Sequence, residues 1–342
     1  MTTRIAFLFP GQGSQVVGMG ADIFASSPAA RRVFESVDEA LGFSLSQICF
    51  TGPEDTLRET INAQPAIVTV SLALLAALQE ALAGQAPAAL PSWTHPLTPA
   101  FTAGHSVGEY AALVVSGSLA LADAARLVRE RGRLMHHEGT LCPGSMAAII
   151  AMDEATVQKI CEEATVQAST HKNSLHPGEG QVTIANYNAP GQLVISGESK
   201  ALNLAIALAK ERGAKRVMPL SVSGAFHSPV MQPAIAGLAQ AIAATPVGDA
   251  QIPLIGNILG MPLTNAQDIR EELSQQIAAS VQWTRSVEYL VSEGVTTLIE
   301  IGPGQALTGM VKRIARGATL INVSSEADIS RVASTLGQVP HS

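Results

Sequence analysis

The sequence predicts an α/β fold with a mostly parallel sheet and a small domain inserted into it. Three observations carry that prediction. Compact apolar runs, such as Ile5 to Phe9 and Thr296 to Ile301, read as buried parallel strands. Helical patterns separate them, the alternation that a parallel sheet requires. From Ser145 to Pro219 the period changes and the order becomes βαββαβ, the split-βαβ or ferredoxin-like unit. At 342 residues the chain is long for one core, so one large and one small domain is the expected division. We assign 1–143 and 220–325 to the large domain, 144–219 to the small one and 326–342 to a C-terminal tail.

Ile5 to Phe9 runs into Pro10-Gly11-Gln12-Gly13-Ser14-Gln15. Two nucleotide motifs fail at this loop. A dinucleotide fingerprint from Gly11 needs Gly or Ala where Val16 stands, and a Walker loop from Gly13 reaches Met19 where Lys belongs. What remains is a glycine-relieved loop at the end of a strand, where open α/β sheets bind ligands. Ser27 to Leu41 and Glu54 to Leu57 read as helical pieces, and Gln64 to Leu82 as a buried helix. Its apolar stretch, Ala66 to Leu78, is shorter than the ~20 residues a membrane span needs, so no membrane partner is expected. Residues 83–99 have no periodicity and read as a surface loop.

Pro99 to Ala103 reads as a strand and Val107 to Val115 as a helix, with Gly104-His105-Ser106-Val107-Gly108 between them. A strand turning directly into a helix strains its middle residue and leaves no room for side chains two positions away, hence Gly104 and Gly108. The turn lifts the Ser106 hydroxyl to the positive end of the helix. In the next helix, Leu119 to His136, Leu127, Val128, Leu134 and Met135 share a face, and Arg131 lies on it. An arginine on an apolar face needs an anionic partner, either an internal Asp or Glu or an anionic substrate.

Within the inserted unit, strands are expected over Ser145 to Met152, Gln181 to Asn186, Gln192 to Ser196 and Ala214 to Pro219. Helices are expected over Asp153 to Glu163 and Ser199 to Arg212, with 169–180 an exposed loop. The core then resumes with a strand (Ile252 to Ile258), two helices (Asp268 to Ala278, Trp283 to Ser292) and the strand ending at Ile301. Gly302-Pro303-Gly304, a helix to Ile314 and a strand over Thr319 to Val323 follow; nothing marks the tail beyond Glu326.

Hydrophobic residues make up 47% of the chain and charged ones 14%, which indicates a large buried interior. A net charge of −7 argues against nucleic acid as a partner. Cys49, Cys142 and Cys161 are widely spaced and form no Cys-x-x-Cys, which suits a reducing cytoplasm and neither a disulfide framework nor a metal site. The apolar run at the N-terminus is too short for a signal peptide.

A serine hydroxyl needs a positioned base. His105 adjoins Ser106, but consecutive side chains at a sharp turn diverge, so packing is its expected role. His136 and His137 sit at a helix end, His95, His171 and His176 in loops, and His341 in the tail. His227, in Ser221-Val222-Ser223-Gly224-Ala225-Phe226-His227-Ser228-Pro229, follows a strand where the chain re-enters the core, and it is the favoured base. No acidic residue stands out as a third member, and a backbone carbonyl can hold the imidazole tautomer instead.

Seven motifs now stand in order: Phe9-Pro10-Gly11-Gln12-Gly13-Ser14-Gln15, Gln64-Pro65-Ala66, Gly104-His105-Ser106-Val107-Gly108-Glu109-Tyr110, Arg131-Gly132, Asn186-Tyr187-Asn188-Ala189-Pro190-Gly191, Gly224-Ala225-Phe226-His227-Ser228 and Ile301-Gly302-Pro303-Gly304. Together they resemble the malonyl-CoA:acyl carrier protein transacylases, relatives of polyketide-synthase acyltransferase domains, over nearly the whole chain. The resemblance implies a hydrolase-like core with a ferredoxin-like insert, malonyl-CoA as substrate, an acyl carrier protein as partner and no permanently bound cofactor. It implies Ser106 as acyl-enzyme nucleophile, His227 as general base and the backbone N–H groups of Gln12 and Val107 as oxyanion hole. Arg131 becomes the clamp on the malonyl carboxylate, a carbonyl near Gln276 orients His227, and Gln276, Asn257 and Gln64 support the site. Phe226 resembles the malonyl-type rather than the methylmalonyl-type pattern.

The loops 83–99 and 169–180 read as longer than the family usually has, which bears on carrier docking. Lys215 and Arg216, near the His227 loop, are the docking candidates, with Lys312, Arg313 and Arg316 as the alternative. A serine esterase or thioesterase would explain Ser106 and His227 but not Arg131. A non-catalytic binding subunit predicts decay of nucleophile, base or clamp, and all three are present. The same chemistry serves fatty-acid synthesis, polyketide assembly and malonate decarboxylation.

Overall fold

The computed structural model describes residues 4–84, 93–169 and 176–336. His171, His341 and the middles of both long loops lie outside the described residues. The chain runs β1 (Ile5–Phe9), α1 (Ala21–Ser26), α2 (Pro28–Leu41), α3 (Leu45–Thr51), α4 (Glu54–Arg58) and α5 (Thr60–Ala83). Next come β2 (Phe101–Gly104), α6 (Gly108–Val115) and α7 (Leu121–Leu141). The inserted unit is β3 (Gly144–Ile150), α8 (Glu154–Ala168), β4 (Val182–Ala189), β5 (Gln192–Glu198), α9 (Ser199–Glu211) and β6 (Arg216–Pro219). Then follow α10 (Ala234–Ala243), β7 (Leu254–Ile255), β8 (Pro262–Leu263), α11 (Ala266–Gln275) and α12 (Trp283–Ser292). β9 (Thr297–Ile301), α13 (Ala306–Ile314), β10 (Thr319–Val323) and α14 (Glu326–Leu336) complete the order.

The larger sheet has the order β10-β9-β1-β2-β7-β8, and every pair in it is parallel except the terminal β7–β8 hairpin. The smaller sheet, β4-β5-β3-β6, is wholly antiparallel, with α8 and α9 packed against it around Ile149, Ile160, Ile184 and Ile195. The fold is thus the mixed α/β architecture expected. Backbone ties the smaller sheet to the segment between α11 and α12: Tyr187 N–H donates to Val281 O (2.9 Å) and Val281 N–H to Ala185 O (2.8 Å).

α5 is the central core helix. It is long and apolar enough to cross a membrane by length and composition, yet 78% of its most apolar window is buried inside the protein. It starts at Thr60, earlier than the periodicity indicates, with Pro65 in its second turn.

α1, α3 and α10 have no counterpart in the sequence reading, and three further elements differ from it. The strand expected over Ile252 to Ile258 is only Leu254–Ile255, because the chain turns back at Gly256, whose N–H donates to Met261 O (3.0 Å), and returns as β8. α7 runs on to Leu141, which puts His136 and His137 on its exposed side rather than at its end. The tail beyond Glu326 forms α14, which packs on α5 and buries Ile329 and Val332. Each such side chain contributes about 1.5–3 kcal/mol of burial.

Candidate active site

Register builds the site. β1 and β2 pair in parallel with Phe9 opposite Gly104, so the Gly11–Gln15 loop and the Ser106 turn emerge side by side at the carboxyl end of the sheet. Ser106 takes a left-handed φ of 53°, as the strand-to-helix turn demands. A Cβ on Gly104 would stand 2.0 Å from the carbonyl carbon of Gly108, and one on Gly108 only 2.2 Å from Phe9 O. Asn257 staples the turn from the β7–β8 side: it accepts from Ser106 N–H at 2.7 Å and donates to Gly104 O at 2.7 Å.

His227 reaches the turn from the segment after β6. Its Nε2 lies 2.7 Å from Ser106 Oγ. Its Nδ1 faces two carbonyl oxygens, Gln276 O at 2.9 Å and Ala279 O at 3.0 Å. Carbonyls only accept, so the ring proton sits on Nδ1 and the Nε2 lone pair is left for the serine. Burial, with the charge of Arg131 adding to it, pushes the imidazole down to about 3, so His227 is neutral at physiological pH.

Arg131 is 1% exposed on the inner face of α7. Its Nη1 donates to Gln64 Oε1 (2.7 Å), and its Nη2 to Gln276 Oε1 (2.8 Å) and Ser106 Oγ (3.2 Å). None of the ion pairs among the described residues involves Arg131. An internal Asp or Glu was one of its two expected partners; neutral amides hold it instead. Burial lowers its affinity for the proton, but a guanidinium stays charged.

The remaining expected residues fall around this centre, with one exception. Among the described residues neither Gln12 N–H nor Val107 N–H has a protein acceptor, so both donors are available. The Gln12 side chain ties its loop to α5 through Thr60 Oγ1 at 3.2 Å. His105 packs as expected, its Nε2 donating to Asn188 Oδ1 at 2.8 Å. Lys215 and Arg216 are exposed and make no contact with Ser106; Arg216 lies on edge strand β6, which also sends Met218 into the cavity. The cavity measures about 320 Å3 and is lined by Gln12, Ser106, Arg131, Phe226 and His227, with Met146 and Val194 from the smaller sheet.

Two groups lay in the sequence without a role. Ala279 O is a second anchor for His227, in a segment with no marking residue type. Glu109, inside the Gly108-Glu109-Tyr110 motif, is fully buried and accepts from Gln276 Nε2 at 2.7 Å.

An elbow serine, a neutral histidine on its oxygen and a buried arginine beside both are equipment suited to covalent acyl transfer. The chain matches the acyl transferase domain family over residues 6–335 and belongs to it. It is 42% identical over 334 residues to the malonyl CoA-acyl carrier protein transacylase of Bacillus subtilis, covering 98% of each chain. Its structure resembles the acyl-carrier-protein-S-malonyltransferase of Bartonella henselae at a TM-score of 0.85, with 39% identity over 98% of this chain and 100% of that one. A malonyl-transacylase solved in complex with a type II PKS acyl-carrier protein superposes at 0.86, with 34% identity over 97% of this chain and 100% of that one.

Proposed function

We propose that this chain moves a malonyl group from malonyl-CoA to the phosphopantetheine thiol of an acyl carrier protein, by way of an ester on Ser106. The observation that carries the reading is the placement of one oxygen: Ser106 Oγ lies 2.7 Å from His227 Nε2 and 3.2 Å from Arg131 Nη2. Kinship with malonyl transacylases along almost the whole chain supports the choice of acyl group.

In the first half-reaction Ser106 Oγ attacks the thioester carbonyl while its proton passes to His227 Nε2. The N–H groups of Gln12 and Val107 are the proposed donors to the oxyanion, and the Nδ1 carbonyls stabilise the imidazolium. Collapse expels the CoA thiolate, which takes the proton from His227 and leaves as the thiol. In the second half-reaction the carrier thiol gives its proton to His227 and attacks the ester; Ser106 regains that proton. Arg131 holds the malonyl carboxylate in two charged hydrogen bonds. Phe226, 5% exposed on the cavity wall, leaves little room for a branch at C2. The cytoplasm is the proposed compartment, supported by three buried, unpaired cysteines.

Intact-mass measurement after incubation with malonyl-CoA should show one malonyl adduct, discharged by carrier protein and absent from Ser106→Ala. An undiminished adduct on Ser106→Ala would remove Ser106 from this role, and rapid discharge by water alone would make the protein a hydrolase.

A further inference from the structure

Glu109 is a buried ionisable group beside the site that the reaction leaves unused. It stands in the first turn of α6, three residues after Ser106, with no exposed surface. Its Oε2 accepts from Gln276 Nε2 at 2.7 Å, and its Oε1 has no hydrogen-bond partner among the described residues. The same Gln276 nitrogen also donates to Ser106 O at 3.1 Å. With its NH2 committed to these two acceptors, the Gln276 amide presents oxygen, not nitrogen, to Arg131 Nη2. We propose that Glu109 is a positioning residue for acyl selectivity: it fixes the Gln276 amide against Arg131 without neutralising the guanidinium.

The proposal rests on the reading of Arg131 as the clamp on the acyl carboxylate. Its physical content is a difference between two ways of holding an arginine. A carboxylate in direct contact would satisfy the guanidinium and leave nothing for substrate. Here every group in direct contact with it is neutral: Gln64, Gln276 and Ser106 by hydrogen bond, and the Tyr110 ring at 5.8 Å from the guanidinium carbon. Glu109 sits one amide further back. An ionised Glu109 would keep one buried oxygen without a hydrogen-bond partner, a costly arrangement. Burial first, and the neighbouring Glu272 second, raise Glu109 well above the usual carboxylate range, against the opposing pull of Gln276, Arg131 and the Asn257 N–H. As the neutral acid it still offers Oε2 to Gln276. The cationic field of Arg131 is therefore reserved for the acyl group.

The experiment compares kcat/KM for malonyl-CoA and acetyl-CoA in Glu109→Leu, Glu109→Gln, Gln64→Glu and Arg131→Ala. Glu109→Leu removes the acceptor, and the malonyl preference should fall about tenfold, mainly through KM. Glu109→Gln keeps a carbonyl oxygen for Gln276 and no charge, and it should restore the preference. Gln64→Glu sets a carboxylate directly on Arg131 and should cut the preference roughly 30-fold or more. If Glu109→Leu does not fold, the contrast between Glu109→Gln and Gln64→Glu carries the same test. The proposal is overturned if folded Glu109→Gln loses preference as Gln64→Glu does, or if Glu109→Leu keeps the full preference. An equal loss of malonyl and acetyl transfer in Arg131→Ala would instead sink the clamp reading; selective malonyl loss there, with unchanged Glu109 variants, sinks this inference alone.

Discussion

His227 shows how a single side chain is set by its neighbours. Two carbonyls fix its tautomer, and burial beside Arg131 depresses it from 6.5 to about 3. A base must be unprotonated in the free enzyme, so kcat/KM for malonyl-CoA should not fall as pH drops through 6.5. An ordinary imidazole would lose about tenfold by one unit below its pKa, and a loss of that size would show that His227 is not depressed. Stability runs in the same direction. Below pH 6.5 the unfolded chain takes up a proton that the folded one refuses, so this residue costs stability as pH falls from 6.5 toward 3. Urea midpoints of wild type and His227→Gln should therefore diverge on acidification, with the variant less sensitive. The sequence made His227 legible through the loop that carries it, after a strand and where the chain re-enters the core. Its two anchors were not legible as pattern, because a backbone carbonyl has no residue type; Gln276 came from the resemblance and Ala279 not at all.

At the scale of elements, the strand–turn–helix around Ser106 could be read because its geometry forbids side chains at two fixed positions. Gly104 and Gly108 sit where a Cβ would meet backbone, at 2.0 and 2.2 Å, and backbone cannot step aside as a side-chain tip can. Gly108→Ala should cost at least about 1–3 kcal/mol in urea unfolding and slow Ser106 acylation together. Near-wild-type stability would mean that the turn is looser than this packing allows. β7 was read too long, and β8 not at all, for the opposite reason. Each has two residues, too few for a period, and the apolar run around them is broken so that Asn257 can reach both sides of the turn. α14 was missed because its large apolar positions are few and stand among small and polar residues. Its partner surface on α5 decides that it packs.

At the scale of the molecule, the cavity lies between the Ser106 turn and the smaller sheet, which is tied to the core beside it. β4 is bonded to Val281, and Arg313 of α13 donates to Pro190 O at 2.8 Å, bridging core and insertion at the surface. That contact occupies one of the alternative docking residues and leaves Lys312 and Arg316 exposed. Two basic edges thus flank the cavity. One is Lys215 and Arg216, just before and at the start of the strand that supplies Met218; the other is Lys312 and Arg316, on and just after the helix that supplies Met310. On the proposed reading a carrier brings its thiol to Ser106 past one of these edges, and exposed charges at such a rim act mainly on encounter rate and salt dependence. Lys215→Glu with Arg216→Glu should raise KM for the carrier roughly tenfold at low salt and less at high salt. Acylation of Ser106 by malonyl-CoA should hold its rate, since that half-reaction involves no carrier. Unchanged carrier kinetics in this pair, with an increase in Lys312→Glu and Arg316→Glu, would move the docking edge to α13. An equal loss of both half-reactions would show that Lys215 and Arg216 serve CoA rather than the carrier.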